Sequence, residues 1–257
     1  MSTHLLSSNI IVTRGLRKTY GETVAVQDLS IAVKGGTTTA LLGGNGAGKT
    51  TIISMLLGLL LPTSGQIEIL GHDMLEDRFS ILPRINFSSP YVDLPFRLTV
   101  RQNLRVYAQL YGIKNAADRV LQLSNDLELT SFLDRMTGKL SAGQKTRVVL
   151  AKSLINAPDV LFLDEPTASL DPDTGDWVRK YLMQYQNETG ATILLASHNM
   201  SEVERMASHV LMMRSGELVD KGSPSELLKR YGRANMEDVF LDIARDRTDH
   251  TLAGKAL

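Results

Sequence analysis

A glycine-rich run in the sequence has residue types suited to binding phosphate. It reads Gly43-Gly44-Asn45-Gly46-Ala47-Gly48-Lys49-Thr50, with Thr51 next, and fits the pattern G-x-x-x-x-G-K-[ST]. Glycines let backbone N–H groups converge on a phosphate where a Cβ would obstruct the approach. Lys49 can reach the β- and γ-phosphates of a nucleotide, and the Thr50 hydroxyl can bind Mg²⁺. The run therefore predicts a nucleotide-phosphate site made of these nine residues.

Two acidic residues follow an apolar run later in the chain. Val160-Leu161-Phe162-Leu163 predicts a buried strand, and Asp164-Glu165 comes directly after it. Ligands of open α/β sheets gather at the carboxyl ends of strands. We expect Asp164 to hold Mg²⁺, directly or through water, and Glu165 to orient or deprotonate an attacking water. Such a pair is common at strand ends, and only its combination with the phosphate loop favours this functional interpretation.

The elements that must position these residues alternate between strands and helices. A buried strand over residues 37–43 precedes the phosphate loop, and a helix over residues 49–60 follows it. The other predicted elements are strands at 10–14, 29–33 and 66–70, a helical region at 99–133, a helix at 141–156, a strand at 160–163, a helix at 172–187, a strand at 191–196, a helix at 199–207, a hairpin over 210–220 and two short helices after it. We expect an α/β fold with a mainly parallel sheet, an N-terminal antiparallel β-subdomain and an inserted helical subdomain.

Composition narrows the classes of protein to which the chain can belong. Of its 257 residues 43% are hydrophobic, enough for one large domain or a domain with a subdomain. Basic and acidic residues number 28 each, so the totals do not indicate a nucleic-acid binder. The absence of cysteine excludes disulfides and thiolate chemistry. The most apolar stretch, residues 52–61, is half the length of about 20 that a membrane helix needs. We expect no signal peptide and no segment that spans a bilayer, so a membrane role must come through a partner.

Further motifs give the chain its resemblance to a family. Leu140-Ser141-Ala142-Gly143-Gln144 resembles the signature LSGGQ of ABC ATPases, with Ala142 in place of the first glycine. His198 resembles the family's switch histidine, and Ser169-Leu170-Asp171 its D-loop. Lys18-Thr19-Tyr20-Gly21 resembles the aromatic A-loop. Order and spacing match over roughly residues 10 to 231, so the chain is identified as a member of the ABC ATPase family with a P-loop NTPase core.

The resemblance implies a role for each of these residues. The Ser141 hydroxyl and the N–H groups of Ala142 and Gly143, with Gln144 beside them, would bind the γ-phosphate of ATP held by an opposite subunit. Tyr20 would stack on adenine. His198 would bond the γ-phosphate and Glu165, so that Lys49, Glu165 and His198 form the catalytic set. Asp171 would link the two sites of a dimer, although an Asp before a proline serves equally well as a helix cap.

One position departs from the family pattern. The family carries a Gln at the entry to its helical subdomain, where it contacts Mg²⁺ and the permease. The sequence has no Gln between Gln66 and Gln102, and Ser88 is the best candidate for the equivalent position. Ser89 and Tyr91 are the nearest other polar side chains. The departure bears on metal sensing and coupling and leaves nucleotide binding intact.

The resemblance implies an ATP- and Mg²⁺-dependent subunit of an ABC transporter at the cytoplasmic face of the cell membrane. Its expected partners are a separate membrane permease and a second ATPase subunit, with no nucleic acid. Residues 98–104 and 236–241 resemble exporter-type subunits for drugs, antibiotics or polysaccharides. The alternatives are a soluble ABC ATPase acting on nucleic acid or ribosomes, and an inactive binding module. The expected domains are an ATPase domain at 9–231, with its helical subdomain at about 88–156, and a C-terminal helix and polar tail at 232–257.

Overall fold

A computed structural model describes residues 8–89, 93–168 and 170–244. Its strands are β1 (Asn9–Tyr20), β2 (Thr23–Leu29), β3 (Ala32–Lys34), β4 (Thr38–Gly43), β5 (Ser64–Ile69), β6 (His72–Asp73), β7 (Ile85–Ser88), β8 (Val160–Asp164), β9 (Thr192–Ser197), β10 (His209–Arg214) and β11 (Glu217–Gly222). Its helices are α1 (Lys49–Leu56), α2 (Arg78–Ile81), α3 (Val100–Leu110), α4 (Ala116–Asp126), α5 (Ala142–Ser153), α6 (Pro172–Thr189), α7 (Met200–Met206), α8 (Pro224–Tyr231) and α9 (Met236–Ala244).

The main sheet has six strands in the order β11-β10-β4-β9-β8-β7. All neighbouring pairs are parallel except β10 and β11, so the prediction of a mainly parallel sheet is confirmed. Every residue of β4, β8 and β9 is buried, as expected of central strands covered on both faces. Because β4, β7, β8 and β9 are parallel, their carboxyl ends meet at one edge of the sheet.

A second sheet is antiparallel and lies at the N-terminal end of the chain. Its order is β2-β1-β5-β6, with β3 also paired to β1. The predicted β-subdomain is confirmed, but its strands are divided differently. The predicted strand at 29–33 is interrupted before β3, and β2 was not predicted. Asp28, next to the start of that predicted strand, has a φ of +44° within β2, a conformation that a regular alternating pattern does not predict.

The inserted helical subdomain lies between β7 and β8. The predicted helical region at 99–133 is two helices, α3 and α4, which Gly112 separates at a φ of +67°. The apolar faces of α3, α4 and α5 share one buried cluster with β8 and α6. Leu104, Val120, Leu123 and Val148 are among its fully buried members.

The last described helix, α9, packs on the main sheet. Met236, Val239 and Ile243 are buried in a cluster with residues of β4, β10 and α7. The polar tail predicted after residue 244 lies outside the described residues, and the domain bounds stay a prediction. Within the described ranges, no helix combines the length and apolar character needed to cross a membrane.

Candidate functional site

The phosphate loop joins β4 to α1, as its sequence predicts. Gly48 stands directly before α1 with a φ of +95°, and a Cβ there would lie 2.6 Å from the Ala25 carbonyl oxygen. A Cβ on Gly43 would lie 2.6 Å from the Met213 carbonyl oxygen. Two glycines of the motif are therefore required by the packing around the loop as well as by phosphate chemistry.

Lys49 places its ammonium inside the curve of this loop. The side chain is buried, and Nζ donates to the carbonyl oxygens of Gly43 at 2.7 Å and Gly44 at 3.2 Å. Glu165 Oε1 lies 4.0 Å from Nζ. Burial lowers the pKa of Lys49, and the nearby carboxylates of Glu165 and Asp164 oppose that change. The loop thus holds the Lys49 ammonium close to the carboxylates of Glu165 and Asp164.

Thr50 and Asp164 come together from different parts of the sequence. The Thr50 hydroxyl donates to Asp164 Oδ2 at 3.0 Å, which joins the first turn of α1 to the end of β8. Asp164 is buried, and burial raises its pKa while the Thr50 hydrogen bond lowers it. A hydroxyl and a carboxylate side by side are the oxygen donors that Mg²⁺ prefers. The pair therefore has the chemistry expected of the predicted metal position.

Glu165 follows Asp164 with a left-handed backbone. Its φ is +51°, and its N–H donates to the Ala196 carbonyl at 2.9 Å. Its Oε1 lies 2.7 Å from Nδ1 of the exposed His198. Since a carboxylate only accepts, Nδ1 is the donor in this hydrogen bond. A non-glycine residue at positive φ stores backbone strain, which often occurs at functional sites.

Glu202 lies beside the site and was not predicted from the sequence. Glu202 is a buried carboxylate that accepts from the hydroxyls of Ser197, at 2.6 Å, and Thr167, at 2.8 Å. Burial raises its pKa. It ties the end of β9 to the segment after Glu165, and so supports both Glu165 and His198. The sequence feature that could have drawn attention to Glu202 is Asn199, three residues before it. Asn199 caps α7 by accepting from the Glu202 N–H.

The signature segment begins helix α5. Ser141 is its N-cap: the Gln144 N–H donates to Ser141 Oγ at 3.3 Å, and the Ser141 N–H donates to Gln144 Oε1 at 3.1 Å. A Cβ on Gly143 would lie 3.3 Å from Thr174 Oγ1, so a small residue fits there. Within the described parts of the chain, no hydrogen bond or ion pair joins residues 141–144 to the phosphate loop.

Tyr20 and Ser88 occupy the ends of two strands. Tyr20 closes β1 with its ring 51% exposed, and the Lys18 ammonium lies 5.1 Å from the ring centroid. Ser88 closes β7 and lines a cavity of about 210 Å³ that Glu165 and Ala142 also border. Tyr91 and Ser169 lie outside the described residues. The structure thus brings Lys49, Thr50, Asp164, Glu165 and His198 together, with Ser88 nearby.

Comparisons with known proteins agree with this arrangement. Residues 26–168 match the family model of the ABC transporter. The bacitracin transport ATP-binding protein BcrA of Bacillus licheniformis is 40% identical over 90% of this chain and 74% of its own length. The Nod factor export ATP-binding protein I of Cupriavidus metallidurans is 35% identical over 91% of this chain and 77% of its own length.

Solved structures share the fold. An ATP-binding subunit of an ABC transporter superposes with a TM-score of 0.83 at 25% identity, over 91% of this chain and 99% of that one. The dimeric structure of MJ0796, a bacterial ABC transporter cassette, superposes with a TM-score of 0.76 at 25% identity, over 83% and 98% of the two chains. The chain therefore belongs to the ABC transporter family, as an ATP-binding and ATP-hydrolysing subunit.

Proposed function

We propose that this subunit hydrolyses Mg²⁺-bound ATP in a dimer and so drives export through a separate membrane permease. The observation that carries the proposal is the meeting of two pairs beside Lys49. Thr50 and Asp164 form one, with 3.0 Å between their oxygens, and Glu165 and His198 form the other, at 2.7 Å. The first pair suits a metal ion, and the second suits a water.

The residues divide the chemistry of phosphoryl transfer among them. ATP supplies the phosphoryl group, and transfer to water needs positioning and charge neutralisation more than covalent chemistry. Lys49 balances negative charge on the phosphates, while Thr50 and Asp164 would hold Mg²⁺, which would neutralise further phosphate charge. Glu165 orients the water and accepts its proton, and His198 fixes the Glu165 carboxylate.

The second half of each site is proposed to come from another ATPase subunit. Ser141 Oγ accepts from Gln144, so its own O–H remains able to donate to an anion. Ala142 and Gly143 stand in the first helical turn, where backbone N–H groups favour anions. This anion site has no bond to the phosphate loop of its own chain among the described residues. A dimer would bring the two together, and the related MJ0796 cassette is dimeric.

An apolar groove supports contact with a permease. It runs between the main core and the helical subdomain and is lined by Leu57, Leu59, Leu82, Phe87, Leu110 and Tyr111. Leu59 and Leu110 are 69% and 75% exposed, which is unfavourable for large apolar side chains in water. The groove adjoins β7, whose last residue is Ser88. We propose that a permease segment covers it at the cytoplasmic face of the membrane. The Nod factor export relative supports the direction of transport, and the bacitracin transport relative supports an antibiotic-like cargo.

The variant Glu165→Gln tests the hydrolytic part. It keeps the size of the side chain and removes the base, which should slow hydrolysis by about 10²–10⁴. The variant should still bind ATP and accumulate as an ATP-bound dimer, measured by light scattering with and without ATP. The matched control adds Lys49→Ala to the same protein and should not dimerise with ATP. A Glu165→Gln protein that stays monomeric and hydrolyses ATP at the wild-type rate would overturn the assignment.

The variant Leu110→Glu tests the permease contact. Leu121→Glu is its matched control, because Leu121 is 51% exposed on α4 and does not line the groove. We expect Leu110→Glu to keep the ATPase rate of the isolated subunit and to lose co-purification with the permease, while Leu121→Glu keeps both. Equal permease binding by the two variants would remove the groove from the proposal and leave the ATPase assignment untouched.

A further inference from the structure

The C-terminal helix α9 has a second face, which lies against the phosphate loop. Its buried residues, Met236, Val239 and Ile243, fill the main core. Phe240 is half-buried at the edge of the same cluster, and its Cζ atom lies 3.8 Å from the position that a Cβ on Gly44 would occupy. The tip of the aromatic ring therefore faces Gly44 at close range.

The end of α9 is also joined to the loop through the turn between β10 and β11. Arg214 Nη1 donates to the Ile243 carbonyl oxygen at 2.7 Å, which satisfies a carbonyl in the last turn of the helix. In the same turn, the Gly216 N–H donates to the Ala47 carbonyl oxygen at 3.2 Å. The turn between β10 and β11 therefore hydrogen-bonds both to the helix and to the loop. The helix and the loop form two walls of a cleft of about 180 Å³.

Several interactions fix α9 in this position. The Asp238 N–H donates to Asn235 Oδ1 at 2.9 Å, which caps the start of the helix. Arg233 forms a two-point ion pair with Asp242, at 2.7 and 3.0 Å. The Met236 N–H donates to Glu204 on α7. A helix held at its start, middle and end can act as a rigid backing for a flexible neighbour.

Glycines give the loop backbone freedom, and ordering that freedom when phosphate binds costs conformational entropy. A loop that is already ordered binds phosphate with less of this cost. We propose that Phe240 is a positioning residue for the phosphate loop, and that α9 sets the affinity for nucleotide. The proposal extends the ATPase domain past residue 231, and it rests on the loop being the nucleotide site.

Two substitutions at Phe240 and one beside it separate positioning from stability. Phe240→Ala removes the ring that faces Gly44. Phe240→Tyr keeps the ring and adds a hydroxyl at Cζ, directed at the loop backbone. Val239→Ala is the control, because Val239 is buried on the core face of the same helix. All are made in the full chain, and circular dichroism melts establish that each variant is folded at the assay temperature.

The readouts are the Kd of trinitrophenyl-ATP and the KM and kcat of ATP hydrolysis. We expect both Phe240 variants to raise Kd and KM about three- to tenfold with kcat within about twofold, since a misplaced loop weakens ground-state and transition-state binding alike. Val239→Ala should lower the melting temperature and leave Kd unchanged. Wild-type Kd in both Phe240 variants, or an equal rise in Kd for Val239→Ala, would overturn the proposal. Failure of the wild-type protein to bind the probe would instead refute the nucleotide site itself.

Discussion

Replacing Lys152 with methionine should make the fold more stable near neutral pH. Lys152 is on α5 and only 4% exposed. Its Nζ donates to Asn86 Oδ1 at 3.3 Å and to the Phe87 carbonyl oxygen at 3.2 Å, and it lies 4.3 Å from the centroid of the Phe87 ring. In the described chain no carboxylate comes within 4.0 Å of this ammonium. Burial lowers its pKa to about 8.

The pKa gives the sign and the size of the effect. An unfolded lysine has a pKa of 10.5, so folding disfavours the charged form by about 3 kcal/mol, at roughly 1.4 kcal/mol per pKa unit. Below pH 8 both states are charged, and the folded state carries the whole penalty. Between pH 8 and 10.5 the unfolded state binds more protons, so the stability of the wild-type protein rises with pH.

Methionine removes both the penalty and the hydrogen bonds. The penalty is counted relative to a neutral folded lysine, whose two hydrogen bonds contribute roughly 1 kcal/mol each. Asn86 Oδ1 keeps a partner, because the Phe87 N–H also donates to it at 2.8 Å. A flexible apolar side chain of similar length fills the same space. We therefore expect Lys152→Met to gain about 1–2 kcal/mol of unfolding free energy at pH 7.

Urea unfolding at pH 7 and pH 9.5 measures both parts of this prediction. Lys114→Met is the control, because it removes the same charge from an exposed position. The gain should appear for Lys152→Met only, and the stability advantage over the wild type should shrink at pH 9.5. A Lys152→Met protein less stable than the wild type at pH 7 would refute the reasoning. An advantage that does not change with pH would show that the lysine keeps its proton on folding over this range, so that burial does not lower its pKa.

Two further predictions follow from local geometry. Ser88→Ala should change the ATPase rate of the isolated subunit by less than about tenfold, or roughly 1.4 kcal/mol in barrier, because a serine is too short to replace the missing Gln directly; a hundredfold loss would show that Ser88 is a direct catalytic or metal-binding group. Gly65→Ala should lower the unfolding free energy by clearly more than Gly71→Ala. Both residues have positive φ, but only a Cβ on Gly65 would lie 2.4 Å from a backbone oxygen, that of Gly15. Equal losses in urea melts would show that the backbone around Gly15 moves freely.

The predictable parts of the site are those where the residues that carry the chemistry also mark the end of a strand or the start of a helix. A glycine run after an apolar strand has few other uses, and an Asp at the end of such a strand meets the loop wherever the strands are parallel. Thr50 and Asp164 are far apart in sequence, yet the α/β alternation alone places them at one edge of the sheet. The sequence predicted both as metal-binding residues, while the hydrogen bond between them is an observation of the structure.

The parts that could not be predicted depend on distant contacts. Phe240 looks like one more apolar residue of an amphipathic helix, and only the packing of α9 turns it towards Gly44. Glu202 reads as a surface acid of α7, because no local pattern reveals that Ser197 and Thr167 will enclose it. The strand β2 lacks a regular alternation, and its pairing with β1 contains register shifts. Tertiary packing decides each of these cases.

Asp171 and Ser141 could each be a helix cap or a group that acts across a dimer, and the sequence alone did not separate these roles. Asp171 accepts from the Thr174 N–H at 3.0 Å, so the alternative of a helix cap describes it within one chain. That bond lowers the pKa of Asp171 and keeps its carboxylate charged. Ser141 is also a cap, but a hydroxyl that accepts one hydrogen bond can still donate another. A capping Asp has no proton to offer, whereas a capping Ser has one. The same local structure therefore leaves Ser141 able to bind an anion and leaves Asp171 able only to accept, so a role for Asp171 across the dimer requires a donor on the other subunit.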